Sequence, residues 1–223
     1  MLRSYRHLSF LLYLLITATW RAGYAQSAAP QFALIPPPAP GRSATPAKEI
    51  PGRALLAELK RGGYTIFFRH TSTDFSRDDV KSRSDNDCDN QRPLTDKGRD
   101  EARQIGENLR RLAIPIGDVL ASPRCRTVEV AKLAFGNYQL AQEVRGGSFS
   151  EKPADRYGEL RALFDKGPGN GRNTVIVSHG NPFYATAGAP YLAEGEAAVV
   201  KPLGKDFEVI ARVRWDEWST LAP

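Results

Sequence analysis

Tyr64-Thr65-Ile66-Phe67-Phe68-Arg69-His70 and Thr174-Val175-Ile176-Val177-Ser178-His179-Gly180 are the two stretches whose reading decides the fold. Each is a run of β-branched or aromatic residues that ends in a histidine, with glycines nearby as punctuation. Continuous apolar runs of this length predict strands buried on both faces, as in a parallel sheet. In open α/β sheets, ligands bind beyond the carboxyl ends of the strands. The chain has three histidines; apart from His7 near the amino terminus, both stand at predicted strand ends. That placement points to one site served by two imidazoles.

The segments around these strands alternate with them. Leu55, Leu56 and Leu59 lie at helical spacing between Glu49 and Arg61, and Gly62-Gly63 stops that helix. Thr95 caps a long helix running to Leu112, with Ala102, Ile105, Leu109 and Leu112 as its apolar stripe. Val119 to Ser122 reads as a short strand, Arg124 to Phe135 as a helix, and Arg156 to Phe164 as another, capped by Asp155. Ala197–Val200 and Phe207–Val213 form a hairpin joined through Pro202 and Gly204. The alternation predicts an α/β fold, a three-layer α/β/α sandwich whose mainly parallel sheet the hairpin makes mixed. Residues 71–93 are polar and patternless, and a loop that long inside a compact domain is usually functional.

Residues 1–25 read as an export signal, with Arg3 and Arg6 ahead of the apolar run Leu8–Trp20 and small residues near Ala25. An uncleaved membrane anchor is the alternative, and either one exports the domain. Residues 26–53 hold seven of the sixteen prolines and read as an extended linker, leaving 54–223 as one domain. Without residues 1–25 the formal net charge falls from +6 to +3, and no basic run carries interleaved aromatics, so no nucleic-acid partner is expected. Local positive charge around an anion is the better expectation. Cys88 and Cys125 are the only cysteines; an exported chain permits a disulfide, while two unpaired buried thiols fit the same count.

Three motifs follow three predicted strands: Phe68-Arg69-His70-Thr71, Ser122-Pro123-Arg124-Cys125-Arg126 and Ser178-His179-Gly180. A guanidinium fork matches phosphoryl oxygens and stays charged at any relevant pH. A neutral imidazole can attack phosphorus if one ring nitrogen is free and the other donates to a carbonyl. Neighbouring arginines disfavour the imidazolium and keep that lone pair available. The scheme needs no metal and no cofactor. Arg92, Arg99 and Arg124 are expected to be exposed.

The ordered set Arg69-His70, Leu94-Thr95-x-x-Gly98, Ser122-Pro123-x-x-Arg126 and Ser178-His179-Gly180 resembles the histidine phosphatase superfamily, also called the phosphoglycerate mutase-like family, over residues 64–200. The resemblance implies a phosphoglycerate mutase-like fold with His70 as phosphoryl acceptor. It implies Arg69, Arg126 and His179 as the phosphate clamp, with Thr73 and Gly180 adding contacts. Thr71 departs from the family's glycine, Ser76 stands where an asparagine is common, and the usual acidic glutamate has no counterpart. Glu143 and Glu151 lack its neighbours, so Glu196 and Asp74 are the candidate acids. The leader and the two cysteine segments are similar to an exported bacterial subgroup that includes lipopolysaccharide core heptose phosphatases. There a Cys88–Cys125 bridge would tie the 71–93 loop to the Arg126 turn.

The resulting expectation is a periplasmic or secreted phosphomonoesterase working through phosphohistidine on a small-molecule or glycan phosphate monoester. It would touch a membrane only through an uncleaved leader, and its oligomeric state is open. The alternative is a catalytically weak phosphate-binding or envelope-interaction module of the same fold.

Overall fold

The computed structural model describes residue 50 and residues 52–146, 157–169 and 171–222. The leader, all but the end of the linker, Glu151 and Asp155 lie outside them. The elements in chain order are α1 (Gly52–Arg61), β1 (Thr65–Arg69), α2 (Asp96–Arg111), β2 (Ile116–Ala121), α3 (Cys125–Phe135), β3 (Gln139–Leu140), α4 (Gly158–Lys166), β4 (Asn173–Ser178), α5 (Gly180–Ala187), β5 (Ala197–Pro202) and β6 (Phe207–Val213). The first helix therefore begins inside the last residues assigned to the linker.

The strands form one sheet in the order β3-β2-β4-β1-β5-β6. β3, β2, β4 and β1 run parallel, and β5 and β6 add an antiparallel hairpin beyond β1. The three-layer mixed α/β architecture read from the sequence is thus the observed one. Side chains alternate across the pleat. Ile66, Phe68, Val175 and Val177 face Leu55 and Leu59 of α1, Ile105 and Leu109 of α2 and Val130 of α3. Phe67 and Ile176 face the opposite layer, with Leu160 and Phe164 of α4 and Phe183 of α5. Both faces of β1 and β4 are therefore buried. Each such side chain contributes about 1.5–3 kcal/mol on burial, so the central strands hold their ends firmly in place.

The connections leave β1 and β4 in opposite directions. From β1 the chain crosses through α2 to β2 beyond β4, whereas from β4 it crosses through α5 to β5 beyond β1. Loops diverge at such a reversal and leave a crevice at the carboxyl ends of the two strands. His70 N–H donates to the Ser178 carbonyl at 2.9 Å and Ser122 N–H to the Val177 carbonyl at 2.9 Å. These bonds bring the three strand-end motifs side by side.

The Leu94-Thr95-x-x-Gly98 segment clamps the chain just after His70. Leu94 bridges to Thr73, and Thr95 N–H donates to the Ser72 carbonyl at 3.0 Å. The Thr95 hydroxyl caps α2 by accepting from Gly98 N–H at 3.0 Å. A Cβ on Gly98 would stand 2.1 Å from the Ser72 oxygen, so only glycine lets α2 approach this closely.

Candidate active site

His70 and His179 sit in one pocket, their ring centroids 5.4 Å apart and their planes at 70°. They are 2 % and 5 % exposed. His70 Nδ1 lies 3.0 Å from the Thr71 carbonyl. A carbonyl only accepts, so Nδ1 carries the proton and Nε2 keeps its lone pair. His179 Nε2 pairs with the Ser122 hydroxyl at 3.0 Å, which gives the Ser122-Pro123 motif a physical role. Gly146 backs this ring so closely that a Cβ there would meet Cδ2 at 2.4 Å. The Ser178 hydroxyl pins that segment by donating to the Val144 carbonyl.

Guanidiniums surround the imidazoles. Arg69 donates to the Leu192 carbonyl at 2.7 Å and to Glu194 at 3.3 Å, and lies 5.3 Å over the Tyr191 ring. Tyr191 packs on Gly180, where a Cβ would come within 2.1 Å of the ring. Arg126, at the first turn of α3, grips Asp79 with both terminal nitrogens, each at 3.0 Å. Arg92 approaches Glu194 to 4.0 Å and stacks 4.6 Å over Phe75. Arg124 lies 3.5 Å from Asp85, which also accepts from Arg145 at 3.0 Å. Arg92 and Arg124 were expected on the surface; they are half-buried because the long loop folds over them. Arg99 is half-buried as well, held between Asp96 and Glu129.

Several residues singled out in the sequence take other places. Glu196 is held away as a partner of Arg212, with bonds of 2.7 and 2.8 Å, and accepts from Ala193 N–H. Asp74 is half-buried and closes a turn by accepting from Ser76 N–H and hydroxyl. Thr73 spends its N–H and its single hydroxyl proton on Glu194, at 3.1 and 2.7 Å, so no donor remains for an oxyanion. Sequence reading overlooked both Glu194 and Asp79. Their arginine partners lie far along the chain, and acids in polar loops carry no local pattern. Among the described residues, no group of three or more His, Cys, Asp or Glu side chains is placed to hold a metal ion.

Residues 65–147 match the family model described as histidine phosphatase superfamily, branch 1. No curated protein sequence matches the chain. Among solved structures, it is similar to the protein histidine phosphatase SixA complexed with tungstate, at 21% identity and TM-score 0.48, over 69% of this chain and 98% of that one. It is also similar to a mycobacterial glucosyl-3-phosphoglycerate phosphatase, at 12% identity and TM-score 0.47, over 69% and 99% of the two chains. The matched segment ends before His179, which β4 returns to the pocket beside His70.

Cys88 and Cys125 are bonded, with Cα atoms 5.7 Å apart. The bridge ties the loop that carries Asp79 and Arg92 to the residue preceding Arg126. In the chain-entropy account, closing a loop across a sequence separation of 37 restricts the unfolded chain by about 4 kcal/mol. The expected result is that Cys88→Ser/Cys125→Ser loses about 2–4 kcal/mol in urea unfolding. An unchanged midpoint would refute a structural role for the bridge.

Burial holds both imidazoles well below the usual histidine range, reinforced for His70 by Arg126 and Arg69 and for His179 by Arg126 and His70. The neutral forms therefore prevail at neutral pH, as nucleophilic attack requires. The same depression fixes the direction of the pH dependence of stability. Below about pH 6.5 the unfolded chain binds protons at these rings that the folded chain refuses, so the stabilisation present above that pH is lost as pH falls. The loss reaches about 1.4 kcal/mol per pH unit for each ring. Asp79 enters only at more acid pH: burial opposes its charge most strongly, but Arg126, the Arg92 N–H and Arg124 together outweigh burial and hold the carboxyl below its ordinary value. Urea midpoints at about pH 7.5 and about pH 5.5 test the histidine contribution, and equal midpoints would contradict it.

Proposed function

We propose that the domain is a phosphomonoesterase that forms a phosphohistidine on His70 and needs no metal. One observation carries this reading. The Nε atoms of Arg69, Arg92 and Arg126 and the Thr71 hydroxyl are buried without a hydrogen-bond partner, in the neighbourhood of an imidazole whose Nε2 lone pair is free. Buried donors left unmatched cost about 1–3 kcal/mol each, more when charged, so a cluster of them argues for an anion. A phosphoryl group supplies oxygens for these donors and an electrophilic phosphorus for Nε2. Arg69, Arg126, His179 and the first turn of α5 at Gly180 are its proposed contacts. Arg92 joins them, and Thr73 serves instead to hold Glu194.

His70 attacks, the ester oxygen leaves, and water then cleaves the N–P bond to release inorganic phosphate. The two cysteine segments and the leader-like amino terminus support an exported protein, periplasmic or secreted. They also support kinship with the subgroup that includes lipopolysaccharide core heptose phosphatases. A small-molecule or glycan phosphate monoester is the proposed substrate class. The binding-module alternative draws on one feature, the occupation of the Arg126 fork by Asp79. Turnover of 4-nitrophenyl phosphate with and without EDTA separates the two readings. Multiple turnovers that persist in chelator support the enzyme, whereas saturable phosphate binding without turnover supports the module.

A further inference from the structure

The carboxylates around the pocket differ in what holds them. Glu194 lies on the Nδ1 side of His70, 3.9 Å away, fixed there by Thr73 and Arg69. Glu101 is buried beneath Ser72 and accepts from its N–H and hydroxyl. Asp85 spans Arg124 and Arg145, and Glu196 belongs to Arg212. Asp79 differs from all of these, because it occupies both terminal nitrogens of a clamp arginine. Its side chain is 32 % exposed, against 8 % for Arg126 and 2 % for His70. These three values order the groups from the floor of the pocket to its mouth. Attack by Nε2 from the floor is in line with departure of the ester oxygen, so the leaving group moves toward the mouth.

We propose that Asp79 is the catalytic acid that protonates the leaving oxygen, an assignment that rests on the phosphomonoesterase reading above. The two terminal nitrogens of Arg126 that grip Asp79 are the donors a phosphoryl group needs. When the substrate takes that fork, Asp79 loses its guanidinium and faces a dianion, and both changes favour the protonated carboxyl. The proton comes from solvent. Arg92 N–H, bonded to Asp79 Oδ1 at 2.8 Å, keeps the side chain at the mouth during the exchange.

The chemical step then balances. The Nε2 lone pair forms the N–P bond, the P–O bond breaks with its electron pair on the ester oxygen, and the Asp79 proton completes the alcohol. In the second half, Asp79 takes a proton from the attacking water. The N–P bond returns its electrons to Nε2, and phosphate departs.

The test compares wild type and Asp79→Asn on 4-nitrophenyl phosphate, whose leaving group needs little protonation, and on glycerol phosphate, whose alkoxide needs a proton. The amide keeps the size of the carboxyl and a carbonyl for Arg92 N–H, and urea midpoints confirm folding. The expected result is a drop in the alkyl-to-aryl ratio of kcat by about 10²-fold or more. Equal losses on both substrates would assign Asp79 to holding Arg126 and overturn the proposal. Faster turnover of both would make it an occluding anion, with the same consequence. Wild type inert toward both esters would instead remove the phosphatase reading beneath it, a result that no Asp79 variant can mimic.

Discussion

His70→Ala lowers kcat toward 4-nitrophenyl phosphate by about 10³-fold or more, because the variant has no lone pair to accept the phosphoryl group. Arg69, Arg92, Arg126 and His179 remain in this variant, so phosphate binding should survive while turnover does not. That split separates a nucleophile from a residue that merely binds. Rapid acid-free quenching of wild type during turnover should show a mass increment of one phosphoryl group on the peptide containing His70. The adduct should be stable in base and labile in acid, as an N–P bond is, and absent from the variant. The substitution also strips the Thr71 carbonyl of its donor, at a cost of about 1–3 kcal/mol, so urea unfolding must accompany the kinetics. A variant that turns over the aryl ester at the wild-type rate would disprove the assignment.

The sequence made this pocket legible for a physical reason. Strands buried on both faces need unbroken apolar runs, so Tyr64–Arg69 and Thr174–Ser178 stood out, and the histidines that end them fall at the sheet's carboxyl edge. β3 had no such signal: Gln139 and Leu140 are both exposed, and two residues cannot show a period. α5 is only eight residues long, starts at the motif glycine and carries Pro182 in its first turn, so it offers no helical period to read. The hydrogen-bonding of the pocket was still less accessible. Glu194 reaches Thr73 across 121 positions and Asp79 reaches Arg126 across 47, separations at which composition and spacing say nothing. Thr73 shows the consequence. Its place three residues after His70 suggested a phosphate contact, but a hydroxyl has one proton, and Glu194 takes it.

Arg126→Ala lowers kcat/KM by about 10²–10³-fold, the loss typical of removing one preorganised donor from a developing anion. Arg126→Lys recovers little, because an ammonium restores charge without the paired terminal nitrogens that match two oxygens. The same substitution leaves Asp79 half-buried with only the Arg92 N–H, at a stability cost of about 1–2 kcal/mol. Stability and activity should then part in the double variant. Removing the stranded carboxylate in Arg126→Ala/Asp79→Ala should restore most of the lost stability, giving a coupling of about 0.5–3 kcal/mol. Activity toward glycerol phosphate should stay at or below that of the single variant, since clamp and acid are now both missing. If Arg126 were only the anchor of the 71–93 loop, activity would follow stability and return with it. Recovery of both together would therefore remove Arg126 from the phosphate site and leave it as one half of an ion pair.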